Sequence, residues 1–438
     1  MYSRRIVLTG LGAITPVGCS PREFWQSLDE RRSGVASVRA FRADDVRPSY
    51  AAEVKDFRPE SDGLPRKKAK VMGRHAQFAY AAARQAYEDA GLVDCPALDR
   101  KRLGVVLGIG MLNADVIELG RAFHAMACAP ETNGVEENGG SFDHVKFGRV
   151  CPSQLFPLWL LRHIPNLAAA HVSIGVDAQG PSNTITTGCV SAANAIGEAA
   201  RIIARGDADV LLAGGADARV SPLGMLRYRE LGWLATRDDI EPTAVSAPFD
   251  ASASGFVNGE GAGVVVLEAL DHARDRGARV YAELVGYGAA NDGCEVFRPD
   301  PAGRALTRAT RACLETCGLT QDDADVMFAP ATSVPSFDRA VASGLEAAFS
   351  RTGKRPVVTA TRSLVGHTHA ASVALDCVAA VKSIEHARIP ATINVEHPVT
   401  NLPLARGESC CMDISAAVVT AYGFGGHAAA IALRRFFE

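Results

Sequence analysis

The sequence holds 11 cysteines but no CxxC pair and no regular cysteine spacing. Cys410 and Cys411 are adjacent, which suits neither a zinc site nor a disulfide framework, so no metal is expected and the thiols are expected to stay reduced. No apolar run reaches about 18 residues, which excludes a membrane-spanning helix. Met1-Tyr2-Ser3-Arg4-Arg5 leads straight into a strand-like segment, without the apolar stretch and cleavage site of a secretory leader, so the expected location is cytoplasmic. Basic runs are also scarce. The densest, Arg66, Lys67, Lys68, Lys70 and Arg74, reads as a solvated helix start, and the net charge is 46 − 49 = −3. Nucleic-acid binding needs a larger basic face, so no nucleic-acid partner is expected.

What is present suits an ordinary globular protein with a large core: 438 residues, 47% hydrophobic and 22% charged. Two stretches, residues 5–12 and 279–288, read as opening strands followed by glycine turns. Continuous apolar runs of this kind fit strands buried on both faces beneath helices. Each is followed by an Ala-rich helical segment (residues 77–90 and 304–317) and then by a further short strand (103–107 and 324–329). The chain therefore reads as two α/β halves of similar order, 1–270 and 271–438. Residues 173–176 and 183–186 read as strands, 210–213 as a strand ending at Gly214-Gly215, and 264–267 and 416–420 as core strands. Residues 129–148 have no period and read as a surface insertion.

Thr186-Thr187-Gly188-Cys189-Val190-Ser191-Ala192-Ala193 places a cysteine at the start of a helix that runs to Arg205 and stops at Gly206. Unpaired N–H groups and the helix dipole at such an end favour thiolate over thiol, so a lowered pKa is expected for Cys189. Gly366-His367 stands before a second Ala-rich helix. There the dipole biases imidazole toward its neutral form, able to stabilise an oxyanion or accept the thiol proton. His369 is expected to be structural and to face elsewhere. Tyr422-Gly423-Phe424-Gly425-Gly426 is a glycine-rich loop able to turn N–H groups toward a ligand.

These segments resemble the β-ketoacyl-acyl-carrier-protein synthases, the type II ketosynthases of the thiolase superfamily. The resemblance is carried by the Thr-x-Cys turn and helix, residues 206–210, Ala213-Gly214-Gly215-Ala216-Asp217, residues 255–263, residues 7–18 and Pro390-Ala391-Thr392-Ile393-Asn394. It implies an α/β, thiolase-like, five-layer αβαβα fold with two pseudo-repeated halves. It also implies Cys189 as the acylated nucleophile, His367 as a catalytic histidine, and an oxyanion hole and gate built from Cys189, Phe424 and Gly425. The substrate implied is an acyl-phosphopantetheine on an acyl carrier protein or coenzyme A, with no bound cofactor. A homodimer, or a heterodimer with another ketosynthase-like chain, is implied, with residues 173–185 near its contact. Met111 falls roughly at a gating position, and Phe156, Trp159 and Leu160 read as an apolar core helix, with lining of the acyl tunnel as the alternative.

The chain departs from this family pattern in one region. Pro330, in Phe328-Ala329-Pro330-Ala331-Thr332, stands where the family carries the histidine that helps expel carbon dioxide from a malonyl thioester. Proline has neither a titratable group nor an N–H. The family lysine is Arg362, a glutamate position is Val341, and an asparagine after the glycine loop is Ala428. Loss of one polar network reads as dismantled decarboxylating machinery. Three readings follow: acyl transfer from Cys189 to an acceptor other than malonyl; slow condensation without the histidine, short by about 10²–10³ in rate; or a chain-length-factor-like, non-condensing partner of a ketosynthase. The last usually lacks the cysteine retained here.

Overall fold

The computed structural model describes residues 4–42, 48–111, 116–129, 142–350, 353 and 355–437. Ten strands form one sheet: β1 (Ile6–Ile14), β2 (Leu103–Ile109), β3 (Ser182–Ile185), β4 (Val210–Ala218), β5 (Glu260–Ala269), β6 (Ala282–Asn291), β7 (Val326–Phe328), β8 (Val357–Thr359), β9 (Ala416–Tyr422) and β10 (His427–Arg435). Their order is β8-β7-β9-β10-β6-β1-β5-β4-β2-β3. Counting from its own first strand, each half has the order 3-2-4-5-1. In each, the fifth strand runs antiparallel to its two neighbours and the other pairings are parallel. The halves join where Ile6, Val7 and Leu8 pair with Leu284, Glu283 and Ala282. The duplication read from strand–glycine–helix pattern is thus a repeat of topology.

Six helices complete the layers: α1 (Arg74–Asp89), α2 (Asn166–Val176), α3 (Ser191–Arg205), α4 (Arg304–Cys317), α5 (Pro335–Ala348) and α6 (Ser372–His386). α1 and α2 cover the outer face of the first half, and α4 and α5 that of the second. Between the two halves lie α3 and α6, packed on each other and on strands of both. Most of α6 is buried, as a helix between two sheets must be. The alternation αβαβα follows.

This central layer positions the chemistry. In the first half, the third strand β3 leads through a turn bearing Cys189 into α3. In the second half, β8 leads through a turn bearing His367 into α6. The two groups occupy equivalent places in the repeat, which is why residues 178 apart in sequence meet.

Several local expectations need correction. Residues 173–176 are the last turn of α2, not a strand, and the helix ends at Asp177 in the left-handed region. The preceding Leu167-Ala168-Ala169-Ala170 carries a helical period into this short apolar run. Strand β4 does not stop at Gly214-Gly215 but continues to Ala218. A Cβ at Gly214 would stand 2.1 Å from the Gly263 carbonyl oxygen, and one at Gly215 2.5 Å from that of Ala370. These glycines therefore serve close packing inside the strand. Of residues 129–148, His144–Val150 opens a helix and 130–141 lie outside the described residues. Phe156, Trp159 and Leu160 lie in and before the short turn Trp159–Arg162, with Leu160 51% exposed, and form no core helix. Among the described residues, no helix is long and apolar enough to cross a membrane.

Candidate active site

Strand β3 ends at Ile185, and the chain turns through Gly188 at φ 62° before α3 begins. The turn is cross-braced. Ser191 Oγ accepts the Thr187 N–H at 2.8 Å and donates to the Gly188 carbonyl at 2.7 Å, while Asn194 Nδ2 donates to Thr187 Oγ1 at 2.9 Å. Cys189 stands in this turn, two residues ahead of α3 and only 7% exposed. The lowered thiol pKa expected from the helix end is not found. Burial pushes the Cys189 thiol up to about 11, with Arg219 and Arg362 pulling down and Asp217 pushing up. At pH 7 the Cys189 thiol is therefore protonated.

His367 Nε2 lies 3.2 Å from Cys189 Sγ. Burial, then the positive charges of Arg362 and Arg219, hold His367 well below the usual histidine range, so the imidazole is neutral at pH 7. Its backbone N–H donates to the Val257 carbonyl at 2.8 Å, while the ring Nδ1 has no partner among the described residues. His369, expected to face elsewhere, does not: its ring centroid is 4.4 Å from that of His367. One ring nitrogen from each histidine and the Cys189 sulfur lie within 4.8 Å of one another, close enough to hold a metal ion.

The glycine-rich loop follows β9. A Cβ at Gly423 would stand 3.2 Å from Cys189 Cβ and 3.5 Å from Cys189 N, so the loop passes directly against Cys189. The Phe424 ring stacks on Trp233, with centroids 3.8 Å apart and planes within 3°, and meets Phe337 edge-on at 5.1 Å. Trp233 borders a cavity of about 710 Å³, also lined by Phe297, Arg298, Pro335 and Arg339. Gly425 leaves the expected oxyanion set, because its N–H is committed to the Val296 carbonyl at 2.8 Å; with φ 79° it turns the loop instead. Ala428 provides no polar support, but Asn291 at the end of β6 does, donating to the Gly425 carbonyl at 2.8 Å. No local sequence signal marks Asn291.

Pro330 follows β7 and is buried. The neighbouring Ala329 carbonyl accepts from Arg362 Nη1 at 3.0 Å, and the same nitrogen pairs with Asp376 at 3.1 Å. Asp338 accepts the N–H groups of Thr332, Ser333 and Phe249 at 2.7, 3.0 and 2.8 Å. Burial lifts Asp338 to about 6 even so. The polar network is therefore not dismantled as a whole. Val341 is packed among apolar residues and Pro330 offers no side-chain hydrogen bond, yet Arg362 and Asp338 still brace the loop. Asp376, which the sequence reading missed, completes that brace. Arg362→Leu strands its buried carboxylate and is expected to lower unfolding free energy by about 3–5 kcal/mol. Urea denaturation checks this, and an unchanged midpoint would refute it.

Residues 3–273 match the family model for the β-ketoacyl synthase N-terminal domain, and 281–396 that for the C-terminal domain. The chain is 33% identical to the 3-oxoacyl-[acyl-carrier-protein] synthase 2 of Synechocystis over 438 residues, covering 100% of this chain and 99% of the relative. It is 34% identical to the Coxiella burnetii enzyme of the same name over 440 residues, covering 100% of each. Among solved structures, a β-ketoacyl synthase from Burkholderia phymatum superposes with a TM-score of 0.85 at 29% identity, covering 99% of this chain and 100% of that one. The ishigamide ketosynthase/chain length factor gives 0.84 at 27%, with the same coverage.

Proposed function

Because the chain belongs to the β-ketoacyl synthase family, we propose that it takes an acyl group onto Cys189 from an acyl-phosphopantetheine thioester and passes it to an acceptor other than a malonyl carbanion. The observation that carries this reading is the 3.2 Å approach of Cys189 Sγ to a neutral His367 Nε2. His367 takes the thiol proton as sulfur attacks the thioester carbonyl. The N–H groups of Cys189 and Phe424 receive the oxyanion. The C–S bond to pantetheine breaks, and the departing thiolate recovers the proton from His367. An alcohol, amine or thiol then attacks the acyl-Cys189 carbonyl, its proton passing through the same imidazole to the Cys189 sulfur. Neither half needs a metal or a bound organic cofactor.

Decarboxylative condensation makes a further demand, a second hydrogen-bond donor for the malonyl thioester oxygen; Pro330 has no side chain able to serve, and the neighbouring His369 has its Nε2 on Asn258 Oδ1 at 2.7 Å. The donor is read as an acyl carrier protein or coenzyme A in the cytoplasm. A dimer is read at the β3 edge, where Ser182 and Asn183 are exposed and Ile174 of α2 is 68% exposed. The test is intact-mass measurement of the protein with acyl-coenzyme A or acyl-carrier donors, followed by addition of small alcohols, amines and thiols. A mass shift at Cys189 that an acceptor discharges supports the reading; an unshifted mass refutes it.

The likeness to a ketosynthase/chain length factor favours one other reading, a non-condensing subunit paired with a ketosynthase. Co-expression with a ketosynthase-like chain distinguishes it. A stable heterodimer in which Cys189 takes no acyl group would favour the partner role.

A further inference from the structure

Beside the Cys189–His367 pair lies a buried polar cluster of His369, Asn258, Tyr228, Arg219 and Asp217. It is continuous from the nucleophile outward. A nitrogen of His369 lies within 4.8 Å of the Cys189 sulfur. The His369 ring stacks on Tyr228 at 5.0 Å and 13°. The Tyr228 hydroxyl accepts from Arg219, and Arg219 Nε donates to both oxygens of Asp217 at 2.9 and 3.0 Å.

The cluster fixes the tautomer of His369. Asn258 Nδ2 donates to the Arg219 carbonyl at 2.8 Å, which aims its Oδ1 at His369 Nε2, 2.7 Å away. Nε2 therefore carries the proton and Nδ1 is a bare lone pair. Among the described residues that Nδ1 is buried and has no partner. The backbone of His369 is held at φ 50°, a left-handed conformation that non-glycine residues keep only where their surroundings impose it. A buried acceptor without a donor calls for one from outside.

We propose that the acyl group taken by Cys189 carries a hydroxyl on its second or third carbon, received by His369 Nδ1. The inference rests on the acylation reading above. A hydroxyl on an early acyl carbon satisfies the imidazole.

The test compares N-acetylcysteamine thioesters of 3-hydroxybutyrate, butyrate and octanoate, following the Cys189 mass shift with time. The 3-hydroxybutyryl donor is expected to load roughly ten- to a hundredfold faster than butyryl, because the unhydroxylated acyl leaves Nδ1 unpaired. His369→Leu is expected to erase the preference for the hydroxyl, and His369→Met serves if the first variant does not fold. Equal loading of hydroxylated and plain butyryl, or an unchanged preference in the variant, would overturn the proposal. An adduct from butyryl or octanoyl alone leaves the Cys189 reading standing and removes only this one. No adduct from any donor removes both.

Discussion

Replacing Cys189 by alanine is expected to abolish the acyl adduct, lowering the rate of thioester uptake by about 10⁴-fold or more. The size follows from what the turn supplies together: a nucleophile, an imidazole at 3.2 Å, and a loop pressed against the sulfur's own backbone. Other thiols offer an internal control. Cys128, Cys294 and Cys411 are exposed, and Cys128 even has His124 Nε2 at 3.6 Å. Cys128 lies on a surface helix rather than against the glycine-rich loop, so slow, nonselective acylation there should persist in Cys189→Ala. Peptide mapping separates the two. An adduct of undiminished rate in the variant would show that the nucleophile lies elsewhere.

Replacing His367 by alanine is expected to slow acylation at pH 7 by about 10²–10⁴-fold. It should also change the dependence on pH. In the native pair the thiol stays protonated below about 11, and burial holds His367 neutral well below the usual histidine range. The competent state, thiol plus neutral imidazole, is therefore constant across pH 6–9 and the rate should be flat there. It falls only in acid, as the imidazole protonates. Without the imidazole, the thiol must ionise unaided. Its raised pKa leaves little thiolate near neutrality, so the variant rate should climb about tenfold per pH unit toward that pKa. Single-turnover mass measurements from pH 6 to 10 check both profiles. Two flat profiles, or two rising ones, would show that His367 does not take the proton.

The repeat of halves was legible because both opening strands, at residues 5–12 and 279–288, are apolar runs closed by glycine, and burial on both faces leaves that trace. Cys189 and His367 were legible for a related reason: each precedes an Ala-rich helix, and small residues there mark a helix packed between sheets. The ionisation of Cys189 was not. A helix end read in isolation lowers a thiol pKa, but here burial by the turn and the distant loop at Gly423 outweighs it. Nor was the setting of His369 legible, since it depends on Asn258, 111 residues away, and on a ring stack with Tyr228. The survival of Arg362 in a buried pair with Asp376 was hidden in the same way, because a substitution read alone does not show which partner remains. Residues 173–176 misled because a short apolar run has no period of its own, and the helix arriving from Asn166 decided its form.

The measurement that bears most directly on acyl uptake without decarboxylation is carbon dioxide release from a malonyl thioester offered to the acylated protein. The account predicts no release above the protein-free rate and an adduct on Cys189 that survives until an alcohol, amine or thiol removes it. Stoichiometric carbon dioxide, with a product two carbons longer than the acyl group loaded, would contradict it.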